Sequence, residues 1–363
     1  MSERPADHPL FQRVERFRRR SGRVRGTVVD QAHGGGGKAM RDLIDDLVVR
    51  ELGGPALQAD EDQARLALAD LSARGDRLAF TTDTYVVSPI EFPGGDIGSL
   101  AVHGTINDLA VGGATPLYLS CGLVLEEGLP IDTLRRVLRS MGRAAAEAGV
   151  SVVTGDTKVV PRGAADQVFI NTTGIGVIPE GVDVGASRLE ADDVLLVNGY
   201  LGDHGAAILV ARGELQLDAH IPSASAPLHT LTRALLDQVD VHAMRDVTRG
   251  GLSAVLNELA LSSEVGMVVD AAAIPVRPEV AGFCEILGLD PVHLANEGKV
   301  VVAVPAAQAE QALSVMRAHP DGANASVIAR CRPDPPGVVT LDTGFGGERI
   351  LDMLVGDQLP RIC

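Results

Sequence analysis

The chain has 363 residues, 45% of them apolar and 22% charged, with a formal net charge of −16. That length suits two ordinary domains, and with 3% aromatics and no Trp the core must be built from Ala, Val, Leu and Ile. The acidic balance argues against a nucleic-acid or anionic-membrane partner, which needs a basic face, and no apolar run approaches the roughly 20 residues that span a bilayer.

Residues 1–27 read as a basic arm, with eight Arg against three acids between Met1 and Gly26. No hydrophobic region follows Arg18-Arg19-Arg20, so a frayed, solvated arm is expected rather than an export signal. A first domain is expected over 28–180. Its Gly run, His33-Gly34-Gly35-Gly36-Gly37-Lys38, fails the phosphate-loop pattern because Ala39 stands where Ser or Thr belongs. Two readings stay open for it: a backbone anion cradle with Lys38 adding charge, or a flexible hinge. The run LAFTTDTYVV predicts a strand over 78–87. A helix is predicted up to Val111 with Asp96 as its N-cap, then an Arg-rich amphipathic helix over 133–148 closed by Gly149. Strands are expected at 150–155 and 167–177.

Ile178-Pro179-Glu180-Gly181 reads as a domain boundary, so a second domain is expected over 181–341. It opens with the strand VLLVNGYLG and a helix over 204–212. The helix LSAVLNELAL, a strand over 299–304, a surface helix after Ala306 and a strand over 338–341 follow. Residues 342–363 read as a flexible tail, because Pro360 neither continues a helix nor donates to a ladder. The alternation of strands and helices gives an α/β (α+β) fold class.

Four acidic motifs carry the chemistry. Asp83 (TTDT) and Asp156 (TGDTK) are placed at strand ends, Asp108 (INDL) on a helix, and Asp246 (DVTRGG) just before one. Singly, each is as well read as a cap or turn; together they form the hard-oxygen set that Mg²⁺ shares with nucleotide phosphates. Arg249 and the helix start at Gly250-Gly251 could receive a phosphate. The basic residues are 29 Arg and only three Lys (Lys38, Lys158 and Lys299), each within a Gly- or acid-rich motif. Glu297, in Asn296-Glu297-Gly298-Lys299, is either a turn residue or a base. Four widely spaced cysteines argue against a disulfide framework or a zinc site and for a reducing, cytoplasmic compartment. Cys363, the last residue, is either an incidental terminus or a thiol on a swinging arm.

From about Val28 to Cys363 the sequence resembles the HypE family of hydrogenase-maturation carbamoyl dehydratases, within the aminoimidazole-ribonucleotide-synthetase-like (PurM-like) ATP enzymes. The resemblance rests on AHGGGGKAM, EDQARL, LAFTTDTYVVSPIEFPGGDIG, HGTINDLAVGGA, VTGDTKVVPRG, DHGA, RDVTRGG, LANEGK and the terminal PRIC. The basic arm before Val28 is longer than the family pattern leads one to expect.

The resemblance implies a two-domain PurM-like fold whose N-terminal sheets pair in a homodimer around a barrel-like core. It implies that a carbamoyltransferase (HypF) loads Cys363 with a carbamoyl group, which is dehydrated with ATP to a thiocyanate. The cyano group would pass to iron held by a HypC–HypD complex, as a ligand for [NiFe]-hydrogenase. Asp83, Asp108 and Asp246 would hold Mg²⁺. The nucleotide would also meet Lys38, Gly155, Asp156, Thr248 and Arg249. Lys158 and Glu297 would flank the carboxamide, Lys158 stabilising charge and Glu297 taking or relaying an N–H proton. A sister phosphotransfer enzyme or a non-catalytic maturation scaffold is the alternative; selenophosphate synthetase would need a Cys or selenocysteine in the Gly-rich segment, which has none.

Overall fold

In the computed structural model the helix behind Asp96 forms over Ile97–Val111 and is the spine of the molecule. The structure describes residues 8–18, 22–24, 26–58, 61–213, 221–354, 356 and 361–363. The Asp96 carboxylate accepts from the N–H groups of Gly98 and Ser99, and Ser99 Oγ accepts from the Asp96 N–H, closing a capping box. The helix is buried almost all round, against the N-terminal sheet on one side and the second domain on the other.

The N-terminal sheet has the order β1-β6-β4-β5, and a two-stranded hairpin, β2-β3, precedes the spine helix. Its strands are β1 (Arg77–Tyr85), β2 (Glu91–Phe92), β3 (Gly95–Asp96), β4 (Thr115–Glu126), β5 (Ser151–Val160) and β6 (Val168–Ile178). β4 and β5 run parallel, joined by the helix Ile131–Glu147; the other pairs are antiparallel. The barrel-like core is an expectation for two paired sheets; in the single chain this sheet is open, with β1 and β5 as its edges among the described residues.

The second sheet contains β7 (Val194–Val197), β8 (Ala243–Asp246), β9 (Gly266–Asp270), β10 (Val300–Val304), β11 (Ser326–Arg332), β12 (Val339–Asp342) and β13 (Glu348–Ile350). Their order is β13-β12-β9-β11-β7-β10-β8. Separate apolar clusters cover its two faces, while the core of the first domain continues into the second through Ala206, Ile208, Phe283 and Leu294.

Several boundaries differ from expectation for identifiable reasons. β1 stops at Tyr85 instead of 87 because Val86 and Ser88 donate to the chain's last residues rather than to β6. β5 runs on to Val160, so Asp156 lies inside a strand, as Asp83 does in β1. The tail adds β13 to the second sheet, and part of the basic arm, Pro9–Arg18, is helical. Residues 19–20 and 357–360, including Pro360, lie outside the described residues. Among the described residues no helix is long and apolar enough to cross a membrane.

Candidate active site

Asp83, Asp108 and Asp246 line one cleft between the domains, together with Thr248 and Arg249. Each comes from a different element. β1 delivers Asp83, the spine helix delivers Asp108, and β8 ends on Asp246. Thr81 Oγ1 donates to Asp108 Oδ2 at 2.9 Å, and the Thr84 N–H holds Asp83 Oδ1 at 2.7 Å. After Arg249, Gly250 and Gly251 take φ of +78° and +64°, and a Cβ on Gly251 would lie 2.6 Å from the Val292 carbonyl oxygen. Only glycine turns the chain into the helix Gly251–Ser263 at that distance.

The electrostatics are those of crowded carboxylates. Burial, then Asp246 and Asp83, push the Asp108 carboxyl up to about 7. Burial raises Asp246 as well. Glu297 is 3% exposed, and its Oε2 has no hydrogen-bond partner among the described residues. Burial holds Glu297 well above the usual carboxylate range, with Asp246, Asp83 and Asp108 adding to the effect and Arg249 opposing it. Among the described residues no three acidic, His or Cys groups converge closely enough to hold a metal ion by themselves. The excess of buried negative charge nevertheless fits a cation that arrives with further oxygen ligands of its own.

Lys158 and Asp156 lie elsewhere. They pair with each other on β5, both largely exposed, and the Lys158 hydrogen bond draws the Asp156 carboxyl down. β5 is three strand spacings from β1, about 14 Å. The faces differ too. Asp83 is opposite the buried Thr172. Asp156 is in register with Gly122 and Asn171, whose side chain bonds Thr82 and Thr84 on the outer face. A single chain therefore does not bring Lys158 to Glu297. Lys38 is also remote from the cleft: it pairs with Asp42 at 2.6 Å, next to a Gly loop that packs through Gly34 on Val159 of β5. Gly155 has a packing reason, since a Cβ there would lie 2.2 Å from the Cys121 carbonyl oxygen of β4.

Cys363 is docked rather than free. Its carbonyl accepts from the Val86 N–H at 3.0 Å, and the Arg361 carbonyl accepts from Ser88 N–H and Arg212. The Arg361 side chain reaches the Val86 carbonyl and the Asp166 carboxylate. His204 Nε2 donates to the Ile362 carbonyl at 2.8 Å and its Nδ1 accepts from Ser223 at 2.9 Å. Burial pushes His204 down to about 4, so the ring is neutral at neutral pH. Ile362 is 2% exposed, a burial that contributes about 1.5–3 kcal/mol to docking. His204, Arg212, Asp166 and Arg361 were missed as functional residues; the quoted DHGA and PRIC motifs held the only signal.

The chain matches two family models: "AIR synthase related protein, N-terminal domain" over residues 60–178 and the corresponding C-terminal domain over 190–342. It is 55% identical to the carbamoyl dehydratase HypE of Rhodobacter capsulatus, across 94% of this chain and 99% of that protein. A HypE crystal structure in complex with ATP superimposes with a TM-score of 0.86 at 48% identity, covering 92% of this chain and 99% of that one. A HypE captured in a HypE–HypF complex superimposes at 0.74 with 42% identity, covering 84% and 97%. The architecture is the two-domain PurM-like α/β fold, and the chain belongs to the HypE family of carbamoyl dehydratases.

Proposed function

We propose that this chain dehydrates a carbamoyl group carried on its own Cys363 thiol to a thiocyanate, using ATP. The supporting observation is one strand. β1 brings Asp83 to the acidic cleft, and three residues later, about 10 Å along, the Val86 N–H holds the Cys363 carbonyl. An amide oxygen is a poor leaving group. Its attack on the γ-phosphorus of ATP releases ADP and makes it a phosphate ester. Cleavage of that C–O bond, with loss of both N–H protons, leaves S–C≡N and phosphate. Glu297, buried and with an unpartnered oxygen, is the group to receive an N–H proton. Asp83, Asp108 and Asp246 would hold Mg²⁺, which when bound supplies charge neutralisation for the phosphates. Thr248 and Arg249 would meet the nucleotide.

The homodimer belongs to the same reading. The outer face of the N-terminal sheet leaves Leu78 59% and Phe80 72% exposed, an apolar patch suited to a second copy. Packed face to face, two open sheets make the barrel-like core and bring the β5 edge of one protomer beside the β1 edge of the other. Lys158 and Asp156 of the partner subunit, with the Lys38 loop, then reach the cleft. A HypF-type carbamoyltransferase would load the thiol, a partner supported by the relative's HypE–HypF complex, and a HypC–HypD complex would take the cyano group for [NiFe]-hydrogenase. Intact-mass analysis tests the reading. The carbamoyl donor system should add one carbamoyl group to Cys363, and MgATP should then remove one water. Full modification of Cys363→Ala protein would overturn it.

A further inference from the structure

Glu297 presents an oxygen that no described residue holds, so its aim depends on the backbone that carries it. That backbone is fixed from three sides. Asn198, directly after β7, donates from Nδ2 to the Gly298 carbonyl at 3.1 Å and to the Asp321 carbonyl at 2.8 Å. Its Oδ1 accepts from the Val300 N–H at 2.9 Å. Asn296 accepts from the Gly202 N–H at 2.7 Å and donates to the Leu294 carbonyl at 2.8 Å. Its own N–H is bound by the Val247 carbonyl at 3.1 Å, one residue past Asp246. Gly298 has φ of +65°, and a Cβ there would lie 2.3 Å from the Ala224 carbonyl oxygen, which closes the third side.

Both amides are at most 2% exposed. Buried polar side chains in an apolar domain core are costly unless they are satisfied, and a primary amide supplies two N–H donors for two carbonyls beside an acceptor oxygen on one flat head. Asp at 198 would turn a lone pair toward two carbonyls, and a Leu would take from the Val300 N–H and the Asp321 carbonyl the partner they have here, leaving the Gly298 carbonyl to Lys299 Nζ alone. We propose that Asn198 and Asn296 are positioning residues that lock the Asn296–Val300 turn and so fix where the buried Glu297 carboxyl sits relative to Asp246. The turn is tied to β7, to the Gly202 helix start and to the segment after Asp246, so Glu297 moves as one body with the wall that carries Asp246.

This assignment rests on Glu297 being the proton acceptor, and the test separates the two. Full-length Asn198→Ser protein is loaded with carbamoyl by its donor enzyme, and water loss is followed in a single turnover with saturating MgATP. The rate constant should fall about tenfold to a hundredfold, as for a group misplaced by up to an ångström. ATP affinity should stay within about twofold, and the limb of the pH–rate profile set by Glu297 should move by about half a unit or more. An unchanged rate, or a lower rate with an unmoved profile, overturns the assignment. If Asn198→Ser does not fold, Asn296→Ser carries the same readouts, since it leaves both bonds to Gly298 and Val300 in place; failure of both to fold makes the amides stability groups and also overturns it. Glu297→Gln is measured alongside. Normal dehydration by Glu297→Gln overturns the role of Glu297 itself, whereas its failure beside fully active Asn variants overturns only the positioning role.

Discussion

The two edges of the N-terminal sheet carry the same kinds of residue in opposite circumstances. At the β1 edge Asp83, Asp108 and Asp246 are drawn into one cleft, burial raises Asp108 and Asp246, and the last residues of the chain dock beside them. At the β5 edge Asp156 and Lys158 are exposed, satisfy each other and face the other way. A site that needs Lys158 and Glu297 together is therefore split in the monomer. The exposed apolar outer face indicates how a second copy could join the halves.

The largest expected effect lies at the β1 edge. Glu297→Gln should accept the carbamoyl group at the normal rate yet dehydrate it about 10²–10⁴-fold more slowly, the range for loss of a general base. Quantifying water loss by intact mass checks this, and undiminished dehydration would dissociate Glu297 from the chemistry.

The split itself is tested by mixing. Glu297→Gln and Lys158→Ala homodimers should both be nearly inactive. Co-refolded at equal amounts, they should recover about a quarter of wild-type activity, because half the dimers are mixed and each has one intact shared site. No recovery would mean that each site is built within one chain, against the separation seen across the sheet.

A smaller effect is expected at the tail. Arg212 donates to the Ser88 and Arg361 carbonyls, so Arg212→Ala should loosen docking by about 1–2 kcal/mol. Amide exchange at Val86 and Ser88, whose N–H groups are covered by the tail, should accelerate accordingly. Unchanged protection would show that Ile362 burial and His204 hold the tail without it.

How far this was legible in the sequence differs between local and long-range features. Asp96 marks the start of the spine helix in the sequence because an N-cap is a local signal, whereas the Ser99 half of the capping box emerges only in the structure. β4 was missed: Pro116, Cys121 and Gly122 blur its alternation, and its pairing is broken by register shifts near Leu117 and Leu119. The acids were visible motif by motif, but nothing in one dimension says that Asp83 and Asp156 face opposite ways. That follows from strand register, where one residue's offset changes the face. Asn198 and Asn296 look like turn residues in NG and NE, and their partners lie up to 123 residues away. Ile362 gave no sign of docking, since the surface that buries it is made by the helix Asp203–Ala211 and the end of β1.

The smallest effect concerns what relieves the crowding at the β1 edge. A carboxyl raised in the folded state keeps its proton there longer than in the unfolded chain. Its contribution to stability is full below the ordinary carboxylate range and is lost as pH rises through the folded value, here about 7 for Asp108. The cation-free protein should therefore lose stability between about pH 4 and 7 on account of this group. Mg²⁺ competes with that proton, so the rise in melting temperature produced by Mg²⁺ with a non-hydrolysable ATP analogue should be larger at pH 8 than at pH 6, by about 2 °C or more. Asp108→Asn should flatten the difference, because the amide neither titrates nor attracts the cation, while the exposed Asp156–Lys158 pair stays outside the effect in the unpaired chain. An equal shift at both pH values would mean that the cation does not bind where the carboxylates are crowded.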